Sequence, residues 1–151
     1  MALNMTGEYE LPVPRQTVWL ALNDQEMLKR CIPGCETLEK VSDTEFKAVV
    51  KLAIGPVKAR FKGKVTLTDL DPPNGYKIVG EGDGGVAGFA KGDAAVALSD
   101  IPVGTKLVYR AEAQVGGKIA QIGQRLIAGS AKKIADQFFT NFAKALTPAQ
   151  A

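Results

Sequence analysis

From Phe46 onward, apolar and polar residues alternate. Phe46, Ala48, Val50, Leu52 and Ile54 fall on one face, and Glu45, Lys47 and Lys51 on the other, the period-two signature of a half-buried strand. After Gly55-Pro56 the alternation resumes, with Val57, Ala59, Phe61, Val65 and Leu67 inward and Lys58, Arg60, Lys62 and Lys64 outward, which predicts a hairpin. The turn signal Asp71-Pro72-Pro73-Asn74-Gly75 leads into Tyr76 and Ile78, then Ala94, Val96 and Leu98, and finally Leu107, Tyr109, Ala111, Ala113 and Val115. Six or seven successive strands without intervening helices predict an antiparallel meander.

The ends of the chain read differently. Thr6 to Leu11 suits a short strand. Pro14 can open a helix through Val18, Trp19 and Leu22, and Asn23 or Asp24 can cap a second one that stops before Pro33-Gly34. From Lys118 to Leu146 the period becomes 3.6. Ile119, Ile122, Leu126, Ile127, Ile134, Phe138 and Phe142 share one arc, with Gln121, Arg125, Lys132 and Asp136 opposite. A long amphipathic helix after a one-sided sheet buries its stripe only against that sheet. The predicted fold class is α+β: one helix-grip domain over residues 1–151, a curved antiparallel sheet of six to seven strands wrapped around a long C-terminal helix, with two short helices after the first strand.

Composition narrows the function. At 151 residues, 46% hydrophobic and 23% charged, the chain suits one globular domain with a sizeable core. No apolar run approaches the roughly 20 residues that span a bilayer, and Met1 to Tyr9 lacks the basic start and apolar stretch of a secretory signal, so a cytoplasmic protein is expected. A net charge of +3 is too small to predict nucleic-acid binding. Cys31 and Cys35 lack the further thiols or histidines a zinc site needs, there being no histidine in the chain, and read as small apolar residues packing a turn.

Gly80, Gly82 and Gly85 satisfy G-x-G-x-x-G, but strand spacing follows where a phosphate-binding helix would have to begin, and Glu81 and Asp83 would repel phosphate. No metal, cofactor or catalytic residue is predicted. The usual neutral-pH base is missing, Glu10, Glu81, Asp93 and Glu112 fall at outward or turn positions, and the inward polar groups are Tyr76 and Tyr109.

Two features remain. Lys58, Arg60, Lys62 and Lys64 form an outward cationic row, a candidate docking surface for an acidic partner or anionic leaflet. A two-residue turn at Gly55-Pro56 would set Lys47 against Lys64 and Lys51 against Arg60, repulsion that Glu81 and Asp83 on the next strand would offset. Gly63, Gly80 and Gly92 thin the inner face, and Gly123 and Gly129 interrupt the long helix, so space is expected between sheet and helix. The candidate ligand-lining residues on the sheet are Leu52, Phe61, Tyr76, Ile78, Phe89, Val96 and Tyr109. On the helix they are Ile119, Ile122, Gly123 and Leu126, and the expected ligand is an elongated hydrophobic small molecule.

Cys31-Ile32-Pro33-Gly34-Cys35, Phe61-Lys62-Gly63-Lys64-Val65, Gly92-Asp93-Ala94, Thr105-Lys106-Leu107-Val108-Tyr109 and, above all, Gly116 through Ile127 resemble the carbon monoxide dehydrogenase G-subunit family of the START-like, Bet v 1-like superfamily. The resemblance covers roughly residues 2 to 146. It implies a helix-grip fold with an internal pocket for a lipid or quinone. It also implies an accessory role beside a molybdenum hydroxylase, in maturation, recruitment to the inner membrane face or electron hand-off. Many relatives carry a further C-terminal tail, whereas this chain stops at Thr147-Pro148-Ala149-Gln150-Ala151. The alternatives are an interaction module docking through its basic face, or a small cyclase- or hydrolase-type enzyme of the same superfamily.

Overall fold

The computed structural model describes residues 2–146, and Met1 and Thr147 to Ala151 lie outside the described residues. Seven antiparallel strands form one sheet in the order β1-β7-β6-β5-β4-β3-β2. They are β1 (Ala2–Leu11), β2 (Cys35–Lys40), β3 (Glu45–Ile54), β4 (Val57–Asp71), β5 (Gly75–Asp83), β6 (Phe89–Ile101) and β7 (Gly104–Gly116). The predicted meander is present and its phase is as expected. The Gly55-Pro56 hairpin pairs Lys47 with Lys64 and Lys51 with Arg60. β1 is longer than Thr6 to Leu11, because Leu3 is buried and its strand runs along the whole of β7.

Between β1 and β2 the chain crosses one end of the sheet as two short helices, α1 (Arg15–Leu22) and α2 (Gln25–Cys31). Asp24 caps α2, its carboxylate accepting from the backbone N–H groups of Glu26 and Met27, an arrangement worth about 1 kcal/mol. Pro14 precedes α1, where its missing N–H leaves no helical bond unmade.

The C-terminal helix, α3, spans Gln124–Leu146, shorter than expected. Residues Lys118–Ile122 form a separate 3₁₀ segment between Gly117 (φ 80°) and Gly123 (φ 99°). Both glycines are in the left-handed region, which breaks the helical path although the apolar spacing continues across the break.

The inner face of the sheet holds two packed clusters. The larger joins Leu11, Val18, Trp19, Phe46, Tyr76, Leu107 and Phe142, with α1, α2 and the C-terminal half of α3. Trp19 meets Tyr76 edge to face at 5.3 Å. The smaller joins Leu3, Phe61, Ala87, Val115, Ile119 and Ile127 at the other end. It is closed by the Lys118–Ile122 segment and a second 3₁₀ turn, Gly85–Ala87.

Candidate functional site

Between the two cores the inner face becomes thin. Ile78, Gly80 and Gly82 on β5, Ala90, Gly92 and Ala94 on β6, and Ala111 and Ala113 on β7 surround a hollow of about 300 Å³. Register places Ile78 beside Ala94, Gly80 beside Gly92 and Gly82 beside Ala90, so the small residues form one patch. α3 thins at a similar level. Its half-buried Ala131 borders the smaller core and Ala135 the larger, with Ile127 and Phe142 buried on either side.

The glycines of the patch have different physical origins. A Cβ built on Gly80 would find its nearest neighbours at 3.6 Å, and on Gly82 at 4.0 Å, which are ordinary contacts. Neither backbone position demands glycine. At Gly92 the same Cβ would lie 2.1 Å from the Glu112 carbonyl oxygen, so glycine is there for close strand approach. Gly80 and Gly82 therefore leave volume that the backbone would have let a side chain fill.

Of the sequence-predicted lining residues, Ile78 borders the hollow. Tyr76, Val96 and Tyr109 belong to the larger core, Phe61 and Ile119 to the smaller, and Leu52 and Ile122 pack at the margin of the smaller. These seven residues pack in or against the cores at the two ends and do not border the hollow itself. Three further positions differ from expectation. Phe89 points to the outer face, 47% exposed, in the row of Asp83. Leu126 is 52% exposed, because the break at Gly123 turns it off the arc it would share with Ile119 in a continuous helix. Gly123 is exposed with nothing near its Cβ position, so it shapes the chain path and does not face the hollow; exposed Gly129 likewise has open space beside it.

The cationic row is neutralised in part. Lys62 stands opposite Asp83 and Lys64 opposite Glu81, as expected, and Arg60 makes a paired contact with Glu36 at 2.7 and 3.2 Å. That pairing holds the Glu36 carboxyl below its usual range. Lys58 faces Ala53 at the hairpin tip, apart from this ladder. A larger depression of about 910 Å³ across β2 to β6 includes Lys47, Lys62, Lys64, Glu81, Asp83 and Lys91 together with Phe89. Charges of both signs make it a solvated surface and not an apolar binding wall.

A polar group missed by the sequence reading lies where α3 crosses β1. The Tyr9 hydroxyl donates to Asp136 Oδ1 at 2.5 Å, and Lys132 Nζ donates to Asp136 Oδ2 at 2.9 Å. Helical spacing alone puts Asp136 on the face opposite the sheet. The side chain reaches back to β1 because Asp136 borders the apolar stripe, next to Ala135. The Tyr9 hydrogen bond, then Lys132, keeps its carboxyl below the ordinary range, while burial and then Asp136 push the Tyr9 phenol up. Tyr9 alternates inward in step with Leu11, a signal that could have marked it.

The chain matches the family described as the G subunit of carbon monoxide dehydrogenase (CoxG) over residues 7–147. It belongs to that family. This CoxG-family protein superposes on a conserved protein from Geobacillus kaustophilus with 36% identity and a TM-score of 0.90, covering 95% of each chain. A protein from Chromobacterium violaceum is similar at 16% identity and TM-score 0.74, over 97% of this chain and 99% of that one. The ZhuI aromatase/cyclase from Streptomyces sp. R1128 shares the fold at 10% identity and TM-score 0.70, over 97% and 94%. The architecture is thereby the Bet v 1-like, START-like helix grip. No curated protein matches the CoxG-family chain in sequence. No helix among the described residues is long and apolar enough to cross a membrane.

Proposed function

We propose that this CoxG-family protein is an accessory carrier whose hollow between the two cores holds an elongated hydrophobic molecule, a lipid or a quinone. The observation that carries the reading is the pair Gly80 and Gly82, where a side chain would fit and none is present. Leu52 and Ile122 would border the ligand at the smaller core, Ile78 along its length and Tyr109 at the larger core. The family description points to a carbon monoxide dehydrogenase as the partner, and the reading extends it to a molybdenum hydroxylase of that type, served in maturation, membrane recruitment or electron hand-off. Turnover by the protein itself is not part of the proposal. The inward face carries phenols, and Asp136, committed to Tyr9 and Lys132, is not free to act as a base.

The test pairs extraction with occlusion. Organic extracts of the purified protein, examined by mass spectrometry, should contain a stoichiometric apolar molecule, and Gly82→Leu should remove it while the protein still melts cooperatively. Clean extracts, together with no saturable binding of a short-chain quinone by the wild type, would overturn the proposal.

A further inference from the structure

The end of the sheet closed by the two 3₁₀ segments carries exposed apolar and basic groups side by side. Val86, in the Gly85–Ala87 turn, is 94% exposed, and Leu126 stands beside the β3–β4 hairpin tip, where a Cβ on Gly55 would lie 3.9 Å from its Cδ1. The turn is fixed. Its backbone closes on itself through Ala87 N–H to the Gly84 carbonyl at 3.2 Å and Gly88 N–H to the Gly85 carbonyl at 3.1 Å, so Val86 is held outward. A lone exposed valine is ordinary on a protein surface, and it is the groups around this one that give it meaning.

Pro56, Lys58, Val86, Lys118 and Ile122 line one depression of about 640 Å³. No carboxylate borders it among the described residues, and Asp83, just before the turn, is folded back to accept from the Gly85 N–H at 2.8 Å. The charge here is unbalanced. Among the described residues no ion pair engages Lys58, Lys118 or Arg125, the residue before Leu126, whereas Arg60 pairs with Glu36, and Lys62 and Lys64 face Asp83 and Glu81. Of the cationic row expected to dock, Lys58 alone, at the hairpin tip, belongs to this uncompensated end.

Resting on the carrier reading above, which gives the protein a reason to visit a bilayer, we propose that this end seats on an anionic lipid surface. Val86 and Leu126 enter the headgroup layer, and Lys58, Lys118 and Arg125 meet lipid phosphates. A fluid headgroup layer accommodates separate apolar projections among cations, whereas a protein partner would need a continuous apolar core to match. The docking surface thus lies at the hairpin tip and the 3₁₀ segments, and not on the outer face of the sheet.

The experiment sediments the full chain with vesicles of phosphatidylcholine, alone or with about one-third phosphatidylglycerol, at physiological ionic strength. Wild type should bind the anionic vesicles and leave the neutral ones. Each basic residue near an anionic leaflet is worth about fivefold in partitioning, so Lys58→Gln with Lys118→Gln should weaken binding about 25-fold. Lys62→Gln with Lys64→Gln removes the same charge from the compensated ladder and should weaken it by no more than about twofold. Val86→Trp, at a position open enough to take the ring, should tighten binding and shift its fluorescence to the blue on anionic vesicles. Equal losses in the two lysine pairs, or an unshifted Val86→Trp emission, would overturn the assignment to this end. Wild type that ignores anionic vesicles overturns the proposal outright, and its binding to poly-glutamate in their place would give this end to an acidic protein. The carrier reading is judged apart from these results: clean extracts would remove it without touching vesicle binding, and absent vesicle binding would leave a guest found in the extracts standing.

Discussion

The two ends of the sheet are closed by different materials. The larger core is shut by two α-helices and an aromatic group in which Phe138 lies 5.6 Å from Phe142 and 5.0 Å from Phe139. The smaller core draws its aromatic bulk from Phe61 and is shut by two short 3₁₀ segments bordered by glycines. Those segments meet backbone to backbone, since a Cβ on Gly117 would lie 2.6 Å from the Gly88 Cα. One end resembles an ordinary domain interior, and the other a folded flap. Between them the sheet keeps room that neither end uses.

The sharpest way to break that contrast is to cut into each end. Phe142, fully buried, should lose about 3–5 kcal/mol on replacement by alanine. Ile119, 2% exposed, should lose about 2 kcal/mol on the same change, because the glycine-bordered segments around it can collapse onto the gap. Urea denaturation of both variants measures the difference, and equal losses would mean that the two ends are equally rigid.

The middle is tested by its glycines. Gly92→Ala should destabilise by about 1–3 kcal/mol, since its Cβ is driven into the opposite strand. Gly82→Ala has no such obstacle and should be neutral or stabilising by up to about 1 kcal/mol through the unfolded chain. Matching losses at the two sites, read from the same denaturation curves, would make the hollow a packing defect and not a reserved space.

The smallest effect concerns pH. Asp136 titrates lower in the folded protein than in the unfolded chain, its Tyr9 hydrogen bond being the larger cause and Lys132 the next. Its contribution to stability is therefore complete above the ordinary carboxylate pKa of about 3.9, and is lost as pH falls through the lower folded value. Acid titrations should show the wild type losing stability below about pH 4 more steeply than Asp136→Asn. Parallel curves would detach Asp136 from the network at α3 and β1.

How far the sequence carried depends on which signal each element uses. β3 to β7 were legible because one face is core and the other water, so alternation set both strand and phase, down to the Lys47–Lys64 register. β2 was not legible, since Leu38 is its one buried residue and an edge strand with one anchor has no visible period. The helix was overextended for a related reason. Ile119, Ile122 and Leu126 keep helical spacing, and what stops the helix is the positive φ of Gly117 and Gly123, a conformational choice that apolar spacing does not report. The hollow was half legible: Gly80 announced missing bulk, but which aromatics would face it and which would plug its ends depended on sheet curvature. Tyr9 and Asp136 are 127 residues apart, and their meeting is set only by where α3 crosses β1.

The glycine-bordered segments at the smaller core also carry a kinetic meaning. The hydrogen bonds that hold them include Gly84 N–H to the Gly88 carbonyl at 2.8 Å and Ala120 N–H to the Gly117 carbonyl at 3.1 Å. Local opening draws on the least stable parts of a structure, and here that part is the wall opposite the aromatic end. Hydrogen exchange at this wall should therefore outpace exchange at the aromatic end, so that the two ends open as separate events.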